Sequence, residues 1–114
     1  MNLYLTPMQV GDVTLIEAAG RITLGRSVAS LRDQIHELAG TGHTKIVLNL
    51  AQVAYIDSSG LGELVSAYTT IANAGGAIKL LHLTSRVRDL LQITKLTTLF
   101  ETFDDEAEAL RSFS

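Results

Sequence analysis

The strongest constraint on the fold is a change of pattern near the middle of the chain. Lys45 to Leu50, KIVLNL, is a short β-branched and apolar run of the kind buried inside a sheet. It leads through Tyr55-Ile56 into Asp57-Ser58-Ser59-Gly60-Leu61-Gly62. From Ser58 the apolar period becomes helical: Leu61, Leu64, Val65, Tyr68, Ile71 and Ala72 fall within one arc of a helical wheel, and Gly75-Gly76 ends the run. A buried strand feeding an amphipathic helix points to an α/β architecture.

The flanking segments agree. Leu3 to Val10 and Val13 to Ala19 read as strands joined by Gly11-Asp12, a dipeptide suited to a tight antiparallel turn, so an N-terminal hairpin is expected. Ser27 is placed to cap a helix with Val28, Leu31, Ile35 and Leu38 on one face, stopped by Gly40 and Gly42. Beyond the central helix, Ala77 to Leu83 reads as a further strand. Ser85 then caps a short helix through Leu91, and Thr98 to Phe100 has room for a last short strand. Asp104-Asp105-Glu106 place negative charge at the start of a final helix ending near Phe113. The expected fold is a mixed α/β domain spanning residues 1–114, with four to five strands and about four helices.

Composition narrows the functional classes. Nine basic and twelve acidic residues give a formal charge of −3, which supplies no general attraction to nucleic acid or anionic lipid. No cysteine is present, so thiol catalysis, disulfides and thiolate metal sites are excluded, and the three histidines are scattered rather than clustered. No stretch approaches the length needed to span a bilayer, and the N-terminus lacks the basic start and long apolar segment of a secretory signal. A soluble cytoplasmic protein is the simplest expectation, with no catalytic residues, metal or cofactor of its own.

The Asp57-Ser58-Ser59 corner admits three chemistries. A Ser or Asp before a helix is most often an N-cap worth about 1 kcal/mol. A serine nucleophile would need a base within reach, yet the motif lacks the nucleophile-elbow pattern, and His36, His43 and His82 show no spacing that marks one. Nor do the glycines form a phosphate-binding Walker loop, since no Gly-Lys-Ser/Thr follows them. The third chemistry is regulatory phosphorylation, which adds about two negative charges where helix amides tolerate them and where a partner would not. On the wheel Gly62 lies about 40° from Ser58, one turn on. Ser66 continues the same flank, a track of small side chains beside the apolar face.

The run LNLAQVAYIDSSGLGELVSAY, Leu48 to Tyr68, resembles the STAS domain of bacterial anti-sigma factor antagonists, and the later GGAIKLL and SRVRDLLQITKL segments extend the likeness over nearly the whole chain. The resemblance implies a small mixed sheet with its helices on one side. It also implies that the residue after the motif aspartate is phosphorylated by the anti-sigma factor, itself a serine kinase that uses ATP. By position that residue is Ser58, with Ser59 as second choice. The unmodified antagonist binds the anti-sigma factor and frees the sigma factor; the phosphorylated form does not bind until a serine phosphatase restores it. The implied contact surface comprises Asp57, Ser58, Ser59, Gly62 and Ser66, together with Arg21, which stands in a Gly20-Arg21-Ile22-Thr23 loop where family members often carry Gly-Glu-Leu-Asp. The alternative implied by the same resemblance is an unphosphorylated STAS interaction module within a larger signalling or lipid-transport assembly.

Overall fold

A computed structural model describes residues 3–113. Strands β1 (Leu3–Val10) and β2 (Val13–Ile22) form the expected hairpin, with Val10 opposite Val13 and Gly11 at φ 63° in the left-handed first position of the two-residue turn. Next come α1 (Arg26–Gly40), β3 (Lys45–Ile56), α2 (Ser58–Asn73), β4 (Ala77–Leu81), α3 (Ser85–Ile93), a 3₁₀ turn at Leu96–Thr98, β5 (Thr102–Phe103) and α4 (Glu106–Arg111). The five strands lie in the order β1-β2-β3-β4-β5, antiparallel only between β1 and β2. This is the mixed α/β sheet with four helices that the sequence pattern implies.

Because β2, β3 and β4 run parallel, the three helices that follow them all begin at the same edge of the sheet. Alternation along the strands divides the core. Ile16, Ile46, Leu48, Ile78 and Leu80 point to one face, where Leu31 and Ile35 of α1, Leu64 and Ile71 of α2, and Val87 and Leu91 of α3 cover them. Val13, Leu15, Val47 and Leu81 point to the other face and meet Ala109 of α4, with Leu110 and Phe113 packed alongside. The helices therefore do not all lie on one side: α4 takes the opposite face. Lys79, on that face and only 7% exposed, fastens it by donating to the backbone oxygen of Ser112 at 3.2 Å and its Oγ at 2.9 Å, with its Nζ over the Phe113 ring.

Several boundaries differ from the sequence reading for local reasons. Helix α1 is capped by Gly25 at φ 106°, and Ser27 is buried inside it without a capping bond. Thr84 rather than Ser85 caps α3, accepting from the Val87 amide. Residues 98–100 form no strand; β5 comes later, as two residues paired beside Leu80 and Leu81. Strand β3 continues six residues past Leu50, because β2 pairs with it through two register shifts as far as Ile22 opposite Ile56. That extension carries the chain to Asp57 just beyond the end of β2.

Candidate functional site

The site is built where β2 ends, β3 ends and α2 begins. The Asp57 amide donates to the carbonyl of Ile22 at 3.2 Å, so the two strand ends are tied before the helix starts. Asp57 is the N-cap of α2, in extended conformation, and both carboxylate oxygens are engaged. Oδ1 accepts from the Gly60 amide at 2.8 Å, and Oδ2 accepts from the Leu24 amide at 3.0 Å. One side chain thus closes the helix and pins the β2–α1 loop. The Leu24 amide first and the Gly60 amide second hold its carboxyl below the ordinary carboxylate value, so it carries charge at neutral pH.

Gly60 makes this corner possible. A Cβ there would run into the carbonyl of Ile22 and stand 2.8 Å from Ile56 Cγ2, so only glycine lets the first turn of α2 settle on the end of β2. Gly62, two residues on, is exposed and has open space around it. Of the two glycines, the packing glycine is therefore Gly60, which the small-residue track had not singled out. A second anchor lies deeper in α2: Glu63, 4% exposed, accepts from both Nε and Nη2 of Arg32 at 3.1 and 2.9 Å, locking α2 to α1.

Ser58, the first residue of α2, is exposed, and Ser59 is half-buried. Among the described residues neither hydroxyl is hydrogen-bonded to a histidine, and the nearest fixed charge along the chain is the Asp57 carboxylate. Ser66 is exposed about two turns along the helix, roughly 12 Å from Ser58. Arg21 lies not in a loop, as the sequence suggested, but in β2 opposite Tyr55, because the β2–β3 pairing runs on to Ile22; its guanidinium lies 5.7 Å from the centroid of the Tyr55 ring. The structure therefore joins Asp57, Ser58, Ser59 and Gly62 in one corner, with Arg21 at its border and Ser66 set apart.

Sequence reasoning did not single out the exposed apolar residues Leu24, Tyr55 and Ile93. Leu24 is 78% exposed in the loop that Asp57 holds, and Ile93 is 78% exposed at the end of α3. Tyr55 and Ile93 share an open cleft of about 390 Å³ with Arg86, Asp89 and Leu90. The signal available in the sequence was faint: Leu24 follows the end of a strand pattern in Thr23-Leu24-Gly25 and lies off the apolar stripe of α1. Among the described residues no three His, Cys, Asp or Glu side chains gather to hold a metal ion.

Sheet order, helix placement and the strand-to-helix corner define a class that comparison with known proteins makes specific. The STAS domain family model matches residues 4–109. The anti-sigma-B factor antagonist of Bacillus subtilis is 31% identical over 101 residues, 89% of this chain and 91% of that protein. The crystal structure of a candidate anti-sigma factor antagonist from Thermotoga maritima superposes with a TM-score of 0.88 at 25% identity, covering 95% of this chain and 92% of that one. The phosphorylated form of the Bacillus cell fate determinant SpoIIAA shares the fold, with a TM-score of 0.76 at 21% identity over 97% of this chain and all of that one. The chain belongs to the STAS domain family, in its anti-sigma factor antagonist branch. No helix among the described residues is long and apolar enough to cross a membrane.

Proposed function

We propose that this chain acts as a non-enzymatic switch: it binds an anti-sigma factor when Ser58 bears a free hydroxyl and releases it when Ser58 is phosphorylated by that factor acting as a serine kinase with ATP. A serine phosphatase resets the switch. The observation that carries this reading is the placement of Ser58, exposed at the first position of α2, beside a carboxylate already fixed in its charged form by two backbone amides. Phosphate at this position adds about two negative charges near the positive end of the helix, where the fold tolerates them. The hydroxyl projects into solvent, so the modified chain loses no packing.

A partner seated on the same corner meets different physics. It would have to desolvate a dianion next to Asp57, beside the exposed Leu24 that the same carboxylate holds. Binding is therefore lost through repulsion and desolvation, without refolding. The relatives named above as anti-sigma factor antagonists support the general role, and the phosphorylated SpoIIAA structure shows that this fold accommodates the modified state in that protein.

The test is incubation with a cognate anti-sigma factor and ATP, followed by mass mapping. Phosphate is expected on Ser58 and absent in Ser58→Ala, which keeps its affinity for the unphosphorylated-state partner. Modification confined to another residue, or none in the presence of an active kinase, contradicts the proposal.

A further inference from the structure

Far from the serine corner, β1 is an edge strand along its whole length, with no strand beyond it among the described residues. The two-residue turn makes Val10 and Val13 a hydrogen-bonded pair. Val10, Met8, Thr6 and Tyr4 therefore turn their backbone groups toward β2, and Gln9, Pro7, Leu5 and Leu3 turn theirs outward. Pro7, which has no amide hydrogen, sits in the outward row, where no ladder bond to β2 is lost. The outward row still offers the amides of Leu3 and Leu5 and the carbonyls of Leu3, Leu5 and Pro7. Beside this free half of the edge runs an open cleft of about 390 Å³, walled by Leu3 and Leu5 on one side and by Ser30, Asp33, Gln34 and Glu37 of α1 on the other. Asp33 and Glu37, one helical turn apart, are exposed and make no ion pair among the described residues.

We propose that the Leu3–Pro7 half of β1 is a docking edge for an extended, basic segment of another protein, which adds as a sixth strand and places alternate Lys or Arg side chains against Asp33 and Glu37. An added strand lies about 4.8 Å further out, and every second side chain would point to the face that α1 overhangs. Two features reject a second copy of this chain as the occupant. Symmetric pairing of two β1 edges would bring the carboxylates of both α1 helices together, between chains of net charge −3. It would also set Pro7 against an outward carbonyl that needs a donor. Pro7 limits the docked segment to a few residues, which suits a short motif. The proposal does not depend on Ser58.

The experiment titrates the ¹⁵N-labelled chain with an acetylated nine-residue peptide of alternating lysine and valine at low salt. Expected are amide shifts at Leu3, Leu5 and along Ser30 to Glu37, slowed hydrogen exchange at Leu5, and affinity lowered about three- to tenfold in the Asp33→Asn/Glu37→Gln variant. Both carboxylates are exposed, so that variant keeps its fold. A peptide N-methylated at the amides that would face β1 is expected to lose binding. Equal binding by an alternating glutamate–valine peptide, undiminished binding by the N-methylated peptide, shifts confined to other surfaces, or no shifts overturn the proposal.

Discussion

Replacing Gly60 with alanine tests the corner on which the site is built. In an open helix the change is favourable by up to about 1 kcal/mol, because alanine has the higher helix propensity. Here the new methyl group would overlap the carbonyl of Ile22, 2.8 Å from Ile56 Cγ2 and 2.9 Å from the carbonyl carbon of Ile22. Overpacking typically costs about 1–3 kcal/mol, and a backbone carbonyl that already accepts from the Asp57 amide cannot rotate aside, so the upper end applies. The net expectation is a loss of about 2 kcal/mol. For a chain of this size that is a fall in Tm of about 8 °C, or of about 1 M in the urea midpoint. Gly62→Ala is the matched control: its Cβ points into open space, and it should gain about 0.5–1 kcal/mol. Thermal and urea unfolding of the two variants, two residues apart, should thus shift in opposite directions. A Gly60→Ala chain as stable as the parent would show that α2 does not rest on the end of β2 as described.

Three further outcomes follow from particular contacts. The folded-state carboxyl of Asp57 titrates below the ordinary value of 3.8, so the stability it contributes is full above that pH and disappears as pH falls through the lower, folded value. Asp57→Asn keeps one acceptor and loses the other, so the stability gap between parent and variant, measured by urea unfolding from pH 6 to 2.5, should narrow at the acid end; a constant gap would contradict the two-amide arrangement. Lys79→Ala removes the buried ammonium that Ser112 and Phe113 hold, at a cost of about 2 kcal/mol, and should speed amide exchange across Ala109 to Phe113 while leaving α2 unchanged. Uniform faster exchange in every helix would deny that Lys79 is a local fastening for α4. Gly62→Leu should leave Tm unchanged or raised by up to about 4 °C, through the same gain in helix propensity, yet weaken binding to an anti-sigma factor, and unchanged affinity would take this part of α2 out of the contact surface.

The sequence discloses what rests on local pattern. The switch from strand to helical period at Ser58 placed β3 and α2, Gly11-Asp12 placed the hairpin, and the acidic run Asp104-Asp105-Glu106 placed the start of α4, where Asp105 proves to be the cap. What stayed hidden depends on residues distant in the chain. Asp57 reads as a helix cap, but its second bond reaches Leu24, 33 positions away, and nothing local announces it. The need for glycine at position 60 arises only when the Ile22 carbonyl arrives from another strand. The stripe of Ala109, Leu110 and Phe113 marks α4 as amphipathic without saying which face of the sheet it covers; that choice is made by Val13, Leu15, Val47 and Leu81 together. β5 is too short, at two residues, for period to reveal it. The serine pair was legible as a candidate site, whereas the exposed Leu24 held beside it was not, because the bond that places it spans 33 positions.

The most direct measurement is the affinity of one anti-sigma factor for two forms of this chain, unmodified and stoichiometrically phosphorylated on Ser58, with circular dichroism to confirm that both are folded. A dianion beside the Asp57 carboxylate predicts weakening by about a hundredfold or more. Equal dissociation constants for two folded forms would contradict the account at its centre.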